Sequence, residues 1–180
     1  LQDLFNQTGW SEAVLKPTIS GAARHTYRLT LKTALKHEST LKTLLQNEDM
    51  IFQEFLNDII NFGEISLMFM GGEFTHAIRK IAKNGDFRVQ DDHGGTVAPL
   101  SVTQTDKDLA QDIMTKCLKH CSSQGWEAPL YARVDLMRNE EGQWLVSELE
   151  MVEPELWFRF HPEAAQTLAQ ALKARLTASA

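Results

Sequence analysis

The stretch YARVDLMRNEEGQWLVSELEMVEP, residues 131–154, holds two segments in which polar and apolar residues alternate around a polar turn. Such alternation is typical of β-strands, because successive side chains of a strand point to opposite faces. We therefore predict strands over residues 130–138 and 143–150, joined as a hairpin by the turn at 139–142.

This hairpin brings acidic residues to one face. Asp135 and Arg133 lie two residues apart on the first strand, and Glu148 and Glu150 repeat that spacing on the second. With the turn at 139–142, Asp135 and Glu148 come close across the pair, and carboxylates packed together repel one another unless a cation holds them. Ligands that are all oxygen suit Mg²⁺ or Mn²⁺ better than Zn²⁺, and a carboxylate-bound Mg²⁺ usually accompanies a substrate phosphate. On spacing alone, a solvated strand face with alternating charges remains the other interpretation.

The rest of the chain mixes helices with further strands. The dipeptide Gly71-Gly72 between apolar segments predicts a second hairpin, with strands over 63–70 and 73–81. We interpret residues 83–99 as one long loop, and we expect Asp106 to cap a helix over 106–124. Recurring hairpins indicate an α+β fold with antiparallel sheets. Additional strands are predicted over 13–16, 26–31 and 50–55, and additional helices over 1–8, 31–45 and 161–176.

Composition limits the classes of partner. The 180 residues include 18 Lys+Arg against 24 Asp+Glu, and this net charge of −6 argues against a nucleic-acid partner. The longest apolar run, 65–70, is far too short for a membrane span, and residues 1–10 do not have the pattern of a signal peptide. The cysteines Cys117 and Cys121 are too few for a disulfide framework, which favours a cytoplasmic location.

Two segments before residue 60 carry candidate ligand-binding groups. Lys16 ends an apolar strand just before Pro17 and a loop of small residues, where a lysine can meet a phosphate as a point charge. A surface lysine at a strand end is the alternative interpretation. The segment QEFL, residues 53–56, offers backbone groups that can bind the edge of a planar base, although most such segments are ordinary core strands. No GxxxxGK[ST] sequence is present, which disfavours a P-loop protein.

Taken together in this order, these segments resemble the ATP-grasp superfamily of carboxylate–amine ligases, particularly its glutathione synthetase-like and D-alanine–D-alanine ligase-like members. The resemblance rests on AVLKP (13–17), FQEFL (52–56), GEISLMFMGGEFTHAIRK (63–80), GDFRVQ (85–90) with the following Gly94-Gly95, RVD (133–135) and ELEMVEP (148–154).

The resemblance implies an ATP-grasp fold, in which two α+β lobes with antiparallel sheets enclose the nucleotide. Residues 1–56 would form a small lid lobe that is incomplete at its N-terminus, and residues 57–180 would form the C-terminal lobe with the metal site. It also implies a missing N-terminal domain that builds the acceptor pocket, and a first phosphate-binding lysine upstream of Lys16, on an element that this chain lacks. We therefore expect the chain alone to bind nucleotide poorly and to be inactive.

The resemblance also implies a role for each site residue. Two departures from the family pattern are the single glycine of the phosphate loop, residues 20–25, and Glu150 at a position where the family usually has Asn. The implied roles are as follows: Lys16 would contact the α- and β-phosphates; Ser20 and Gly21 would belong to the loop that closes over them; Glu54, Phe55 and Leu56 would bind adenine; Glu64 would bind the ribose hydroxyls; Lys80 and Arg88 would meet the terminal phosphates or the acyl-phosphate; Arg133 would stabilise the γ-phosphoryl group; and Asp135, Glu148 and Glu150 would hold the metal.

The function implied is ATP-dependent ligation. ATP would phosphorylate a small carboxylate, and an amine-type acceptor would displace phosphate from the acyl-phosphate, with Mg²⁺ or Mn²⁺ as the metal. A homodimer is among the expected assemblies. Two alternatives stay open: a nucleotide-binding or regulatory module of the same fold without ligase activity, and an unrelated α+β domain whose acidic hairpin is only a surface.

Overall fold

The computed structural model describes residues 1–21, 23–89 and 93–178. Ala22 of the predicted phosphate loop and Gln90 of the GDFRVQ motif lie outside the described residues. The chain divides into two compact units, Leu1–Asn57 and Asp58–Ala180, with a boundary one residue from that predicted. The roles of these units as a lid lobe and a metal-binding lobe stay predictions.

The first unit is a three-stranded antiparallel sheet with two helices. Strand order is β2-β1-β3, so the strand with Lys16 is central. Ala13, Leu15 and Pro17 are buried on one face of the sheet, and Lys16 belongs to the other face. The elements are α1 (Gln2–Thr8), β1 (Glu12–Pro17), β2 (Tyr27–Thr30), α2 (Leu31–Leu44) and β3 (Met50–Glu54).

The second unit is a five-stranded antiparallel sheet in the order β6-β5-β4-β7-β8. Both predicted hairpins, β4–β5 and β7–β8, are confirmed, and β4 and β7 are neighbours at the centre. The elements are α3 (Asp58–Asn61), β4 (Glu64–Met70), β5 (Glu73–Ile81), β6 (Thr96–Pro99), α4 (Gln104–Ser123), β7 (Tyr131–Arg138), β8 (Trp144–Glu150), a 3-10 helix (Phe158–Phe160) and α5 (Ala164–Ala178).

The two faces of this sheet are covered differently. On one face Leu67, Phe69 and Val134 pack against Met114 of α4 in an apolar core. The other face has two parts. Near one end, apolar side chains of the sheet contact residues of the 3-10 helix and α5, whereas at the other end the side chains are charged. None of the helices in the described part of the chain is long and apolar enough to span a bilayer.

The interpretation of residues 83–99 as one long loop is wrong at its C-terminal end. Residues Thr96–Pro99 form β6, which pairs with β5 through contacts such as Ile78 with Pro99 and Lys80 with Val97. The strand is at the edge of the sheet, where proline is tolerated because one side of the backbone has no partner strand. Four residues with a terminal proline give little periodic signal, so the sequence did not indicate this strand.

Asp106 was also assigned wrongly as the residue that caps α4. Thr103 is the N-cap: its hydroxyl accepts a hydrogen bond from the Asp106 backbone N–H at 3.2 Å. The Asp106 carboxylate accepts in return from the Thr103 N–H at 2.9 Å, which completes a capping box. The same carboxylate accepts a hydrogen bond from the Trp144 indole N–H, so it ties the helix start to β8.

Thr103→Ala should lower the free energy of unfolding by about 1 kcal/mol, because the Asp106 N–H at the start of α4 loses the hydroxyl that accepts its hydrogen bond. Urea denaturation measures this change. Thr105→Ala is the matched control, since Thr105 lies inside the exposed first turn of the helix and should change stability by less than about 0.5 kcal/mol. Equal losses in the two variants would argue against the capping assignment.

Candidate active site

Six charged side chains lie together at one end of the second unit's sheet, on the face opposite α4. We call them the charged cluster. Strand pairing brings them into line: Glu64 is opposite Lys80, Asp135 is opposite Glu148, and Arg133 is opposite Glu150. The cluster consists of Glu64 on β4, Lys80 on β5, Arg133 and Asp135 on β7, and Glu148 and Glu150 on β8.

Asp135 is the centre of the charged cluster. Its side chain has no exposed surface, and both of its oxygens bind cations of the same protein. Arg133 donates through Nε to Oδ1 and Oδ2, each at 3.0 Å, and Nη2 lies 2.9 Å from Oδ2. Lys80 donates through Nζ to Oδ2 at 3.2 Å.

Each cation also binds a second acid. Lys80 forms an ion pair with Glu64, whose other oxygen accepts a hydrogen bond from Ser147 at 3.1 Å. Arg133 Nη2 lies 2.5 Å from Glu150 Oε2 and 3.9 Å from Glu148 Oε2. Lys80 and Arg133 thus bridge acids on neighbouring strands.

The ionisation of the cluster follows from these contacts. Burial alone would raise the pKa of Asp135, but Lys80 and Arg133 outweigh it and hold that pKa below its usual range. Burial alone would lower the pKa of Lys80, but Glu64 and Asp135 raise it. Burial together with the negative charges of Glu150 and Asp135 raises the pKa of Glu148. Glu148 therefore lies in a local excess of negative charge.

Ser147 is a site residue that the sequence did not indicate. The β7–β8 pairing is interrupted after Asp135, which is opposite Glu148, because the next residue, Leu136, is opposite Val146. The extra residue in β8 is Ser147, and it reaches Glu64 from the same part of the sheet as Glu148. With strict alternation, the side chains of Ser147 and Glu148 would point to opposite faces of the sheet. An extra residue of this kind is a β-bulge, which changes the direction of a side chain. The sequence carries no clear signal for a β-bulge.

In the first unit, the loop after Lys16 is held by its own polar contacts. Ser20 donates its hydroxyl to the Arg24 carbonyl at 3.0 Å, and the Arg24 N–H donates to the Gly21 carbonyl at 3.1 Å. The Arg24 guanidinium donates to both carboxylate oxygens of Glu48, which lowers the pKa of Glu48 to about 2. Ser20 and Gly21 are exposed. Their role towards phosphates stays a prediction.

The predicted adenine-binding segment ends the third strand of the first unit. Glu54 is exposed and pairs with Ala13 of β1, whereas Phe55 is buried beneath the Arg28 guanidinium, which lies 3.9 Å from its ring centre. The Phe55 N–H donates to the carbonyl of Glu12 on β1, so this N–H is used in a hydrogen bond within the protein. Leu56 is half-buried. The predicted contacts with adenine remain a proposal.

Within the described part of the chain, Arg88 makes no ion pair with the charged cluster. Among the described residues its guanidinium binds Asp86 of the same loop, with Nη2 2.7 Å from Oδ2. This contact lowers the pKa of Asp86. The structure therefore brings together Glu64, Lys80, Arg133, Asp135, Glu148 and Glu150, and the role of Arg88 towards phosphates stays a prediction.

The donor chemistry of the charged cluster suits a hard divalent cation. Its acids outnumber its cations by four to two, and its possible ligands are all carboxylate oxygens. Among the described residues, however, no three His, Cys, Asp or Glu side chains are arranged so that they could directly hold a metal ion. Assignment of Asp135, Glu148 and Glu150 as metal ligands therefore stays a prediction.

Comparison with known sequences gives a family and a curated relative. A family model described as a RimK-like ATP-grasp domain matches residues 11–153. The chain is 30% identical over 169 residues to the cycloserine biosynthesis protein DcsG of Streptomyces lavendulae. The match covers 92% of this chain and 55% of that protein, so the chain spans about half the length of its curated relative.

Solved structures give the same fold. The crystal structure of the D-cycloserine synthetase DcsG matches with a TM-score of 0.83 and 26% identity, over 97% of this chain and 59% of that one. The D-alanine–D-alanine ligase from Bacillus anthracis matches with a TM-score of 0.64 and 19% identity, over 97% and 59%. The ATP-grasp ligase PsnB, solved with a precursor variant, Mg and ADP, matches with a TM-score of 0.60 and 16% identity, over 95% and 51%.

Proposed function

Because the chain belongs to the RimK-like ATP-grasp family, we propose that it provides the ATP- and Mg²⁺-binding part of an ATP-dependent carboxylate–amine ligase. The predicted fold class and family resemblance are confirmed. The ligase activity is a proposal for this protein. Its main support is the charged cluster, in which the RVD and ELE segments lie on paired strands and Asp135 is opposite Glu148.

The proposed substrates are ATP, the carboxylate of an amino acid and an amine-type acceptor. The names of the relatives support this class, since a D-cycloserine synthetase and a D-alanine–D-alanine ligase are among them. The bound Mg and ADP of PsnB support Mg²⁺ and adenine nucleotide as ligands here. The homodimer and the cytoplasmic location expected from the sequence stay predictions.

The residues of the charged cluster suit phosphoryl transfer, in which a protein acts by positioning the reactants and by neutralising charge on the phosphate oxygens. Asp135, Glu148 and Glu150 would hold Mg²⁺, which would neutralise charge on the phosphate oxygens. Arg133 and Lys80 would turn their cationic groups towards the transferred phosphoryl group and the acyl-phosphate. Lys16 and the loop with Ser20 and Gly21 would bind the other phosphates, and the reaction needs no nucleophile from the protein.

The activity can be tested by measuring ADP release from the full-length protein. We expect release from Mg-ATP to require both an amino acid and an amine, supplied as a panel of D- and L-amino acids. Binding of Mg-ADP without substrate-dependent release would favour the regulatory module instead. If neither Mg-ATP nor Mg-ADP binds, the nucleotide-binding assignment itself is wrong.

Arg133→Ala should lower kcat by about 10²–10³-fold and weaken ADP binding by less than about tenfold, because the guanidinium acts mainly on charge that develops during transfer. Steady-state kinetics and calorimetry measure the two effects. Arg133→Lys is the matched variant. It keeps the positive charge but loses the bidentate contact with Asp135, and it should retain more turnover than Arg133→Ala. A larger loss in affinity than in kcat would assign Arg133 to ground-state binding.

A further inference from the structure

The carboxylate at the centre of the charged cluster is already neutralised by the protein. Asp135 has no exposed surface, and Lys80 and Arg133 together contact both of its oxygens at 2.9–3.2 Å. A divalent cation that binds Asp135 must therefore displace at least one of these contacts. It would also approach two positive charges, and such repulsion is strong where water is excluded.

The two cations are held in place by further acids. Lys80 is bound to Glu64 on the neighbouring strand, and Arg133 is bound to Glu150 on the other side. Their side chains are only 8% and 10% exposed, so solvent takes up little of their charge. Only another anion can replace Asp135 as their partner without leaving a buried charge unpaired.

A phosphate group is such an anion. It can accept from a guanidinium at two oxygens and from an ammonium as a point charge. If Lys80 and Arg133 turn to a phosphate, Asp135 loses two cationic partners while Glu148 and Glu150 add further negative charge beside it. The released carboxylates then favour a divalent cation, so each ligand prepares the site for the other.

We propose that Lys80 and Arg133 are internal counter-ions of Asp135 that prevent it from binding Mg²⁺ until they bind a phosphate instead. Metal binding and nucleotide binding are therefore positively coupled. The proposal rests on the metal and phosphate roles given under the proposed function. It adds that the site has low affinity for Mg²⁺ alone and that the two cations of the cluster lower that affinity.

The test is calorimetric titration of the nucleotide-free, full-length protein with MgCl₂, which avoids the binding of Mg²⁺ to nucleotide in solution. We expect Lys80→Gln to bind Mg²⁺ at least about tenfold more tightly than the unmodified protein, because one positive charge is removed from beside Asp135. Arg138→Gln is the matched control. It removes a positive charge from β7, the strand that carries Asp135, but Arg138 binds Asp58, so Mg²⁺ affinity should change by less than about twofold.

A second variant covers the case in which Lys80→Gln does not fold, since that change leaves Glu64 and Asp135 without their lysine. The double variant Glu64→Gln/Lys80→Gln replaces the ion pair by two amides. It should also bind Mg²⁺ more tightly than the unmodified protein, because it still removes the positive charge that lies 3.2 Å from Asp135. Thermal unfolding establishes that each variant is folded.

Equal Mg²⁺ affinity in the unmodified protein and the variants that lack Lys80, including equally undetectable binding, would overturn the proposal. Tight binding of Mg²⁺ to the unmodified protein in the absence of nucleotide would also overturn it. Both results are distinguishable from failure of the proposed function, because the ADP-release assay of the unmodified protein would remain positive.

Discussion

Asp135→Asn should reduce Mg-ATP-dependent turnover by about 10³-fold or more, the largest functional effect that we expect from one substitution in this chain. Asparagine has the same shape but lacks the negative charge that would hold the metal. The change also leaves Lys80 and Arg133 without the carboxylate that they share. We therefore expect a loss of about 3 kcal/mol in the free energy of unfolding as well.

These two effects of Asp135→Asn must be measured separately. ADP release at a temperature where the variant is folded reports turnover, and chemical denaturation reports stability. Asp58→Asn is the matched control, because Asp58 pairs with Arg138 outside the charged cluster. It should keep turnover within about threefold of the unmodified protein. Turnover that survives Asp135→Asn nearly unaltered would refute the metal role of Asp135.

Gly63→Ala should lower the free energy of unfolding by about 4 kcal/mol or prevent folding. Gly63 has φ +90°, and a Cβ atom there would lie 2.0 Å from the backbone oxygen of Lys80. That oxygen belongs to the backbone of β5, which cannot move aside as a flexible side chain can. The β4–β5 pairing would have to shift at the point where Glu64 meets Lys80.

Gly72→Ala is the control that separates the clash with the Lys80 carbonyl from the effect of a positive φ alone. Gly72 has a similar φ of +87°, but a Cβ atom there would meet no heavy atom within 4 Å. We expect a loss of only about 1 kcal/mol, from backbone strain. Urea denaturation of both variants makes the comparison. Similar losses at the two glycines would show that contact with the Lys80 carbonyl is unimportant.

Much of the fold could be predicted because its signals are local. The hairpins at Gly71-Gly72 and at 139–142 join strands that are adjacent in the chain, so alternation and turn residues suffice to pair them. The strand β6 has no such signal. It is short and ends in Pro99, and its pairing with β5 depends on the sheet that is already formed.

The charged cluster was predicted in part for the same reason. Arg133, Asp135, Glu148 and Glu150 share one hairpin, and their common face follows from the two-residue period of β-strands. From the hairpin alone, the acids looked like a group in need of an external cation. The structure supplies a cation from elsewhere in the chain, since Lys80 lies 55 residues before Asp135.

By itself, the sequence determined the elements of both hairpins and indicated that Asp135 and Glu148 come close across one of them, because each depends on residues close together in the chain. Only the tertiary structure decided that β4 lies beside β7 and that Ser147 is an extra residue in β8. The β4–β7 pairing brings Glu64 and Lys80 to Asp135, and the extra residue sets Asp135 opposite Glu148. Contacts between distant segments depend on how strands are ordered across a sheet, and no local pattern of residues specifies that order.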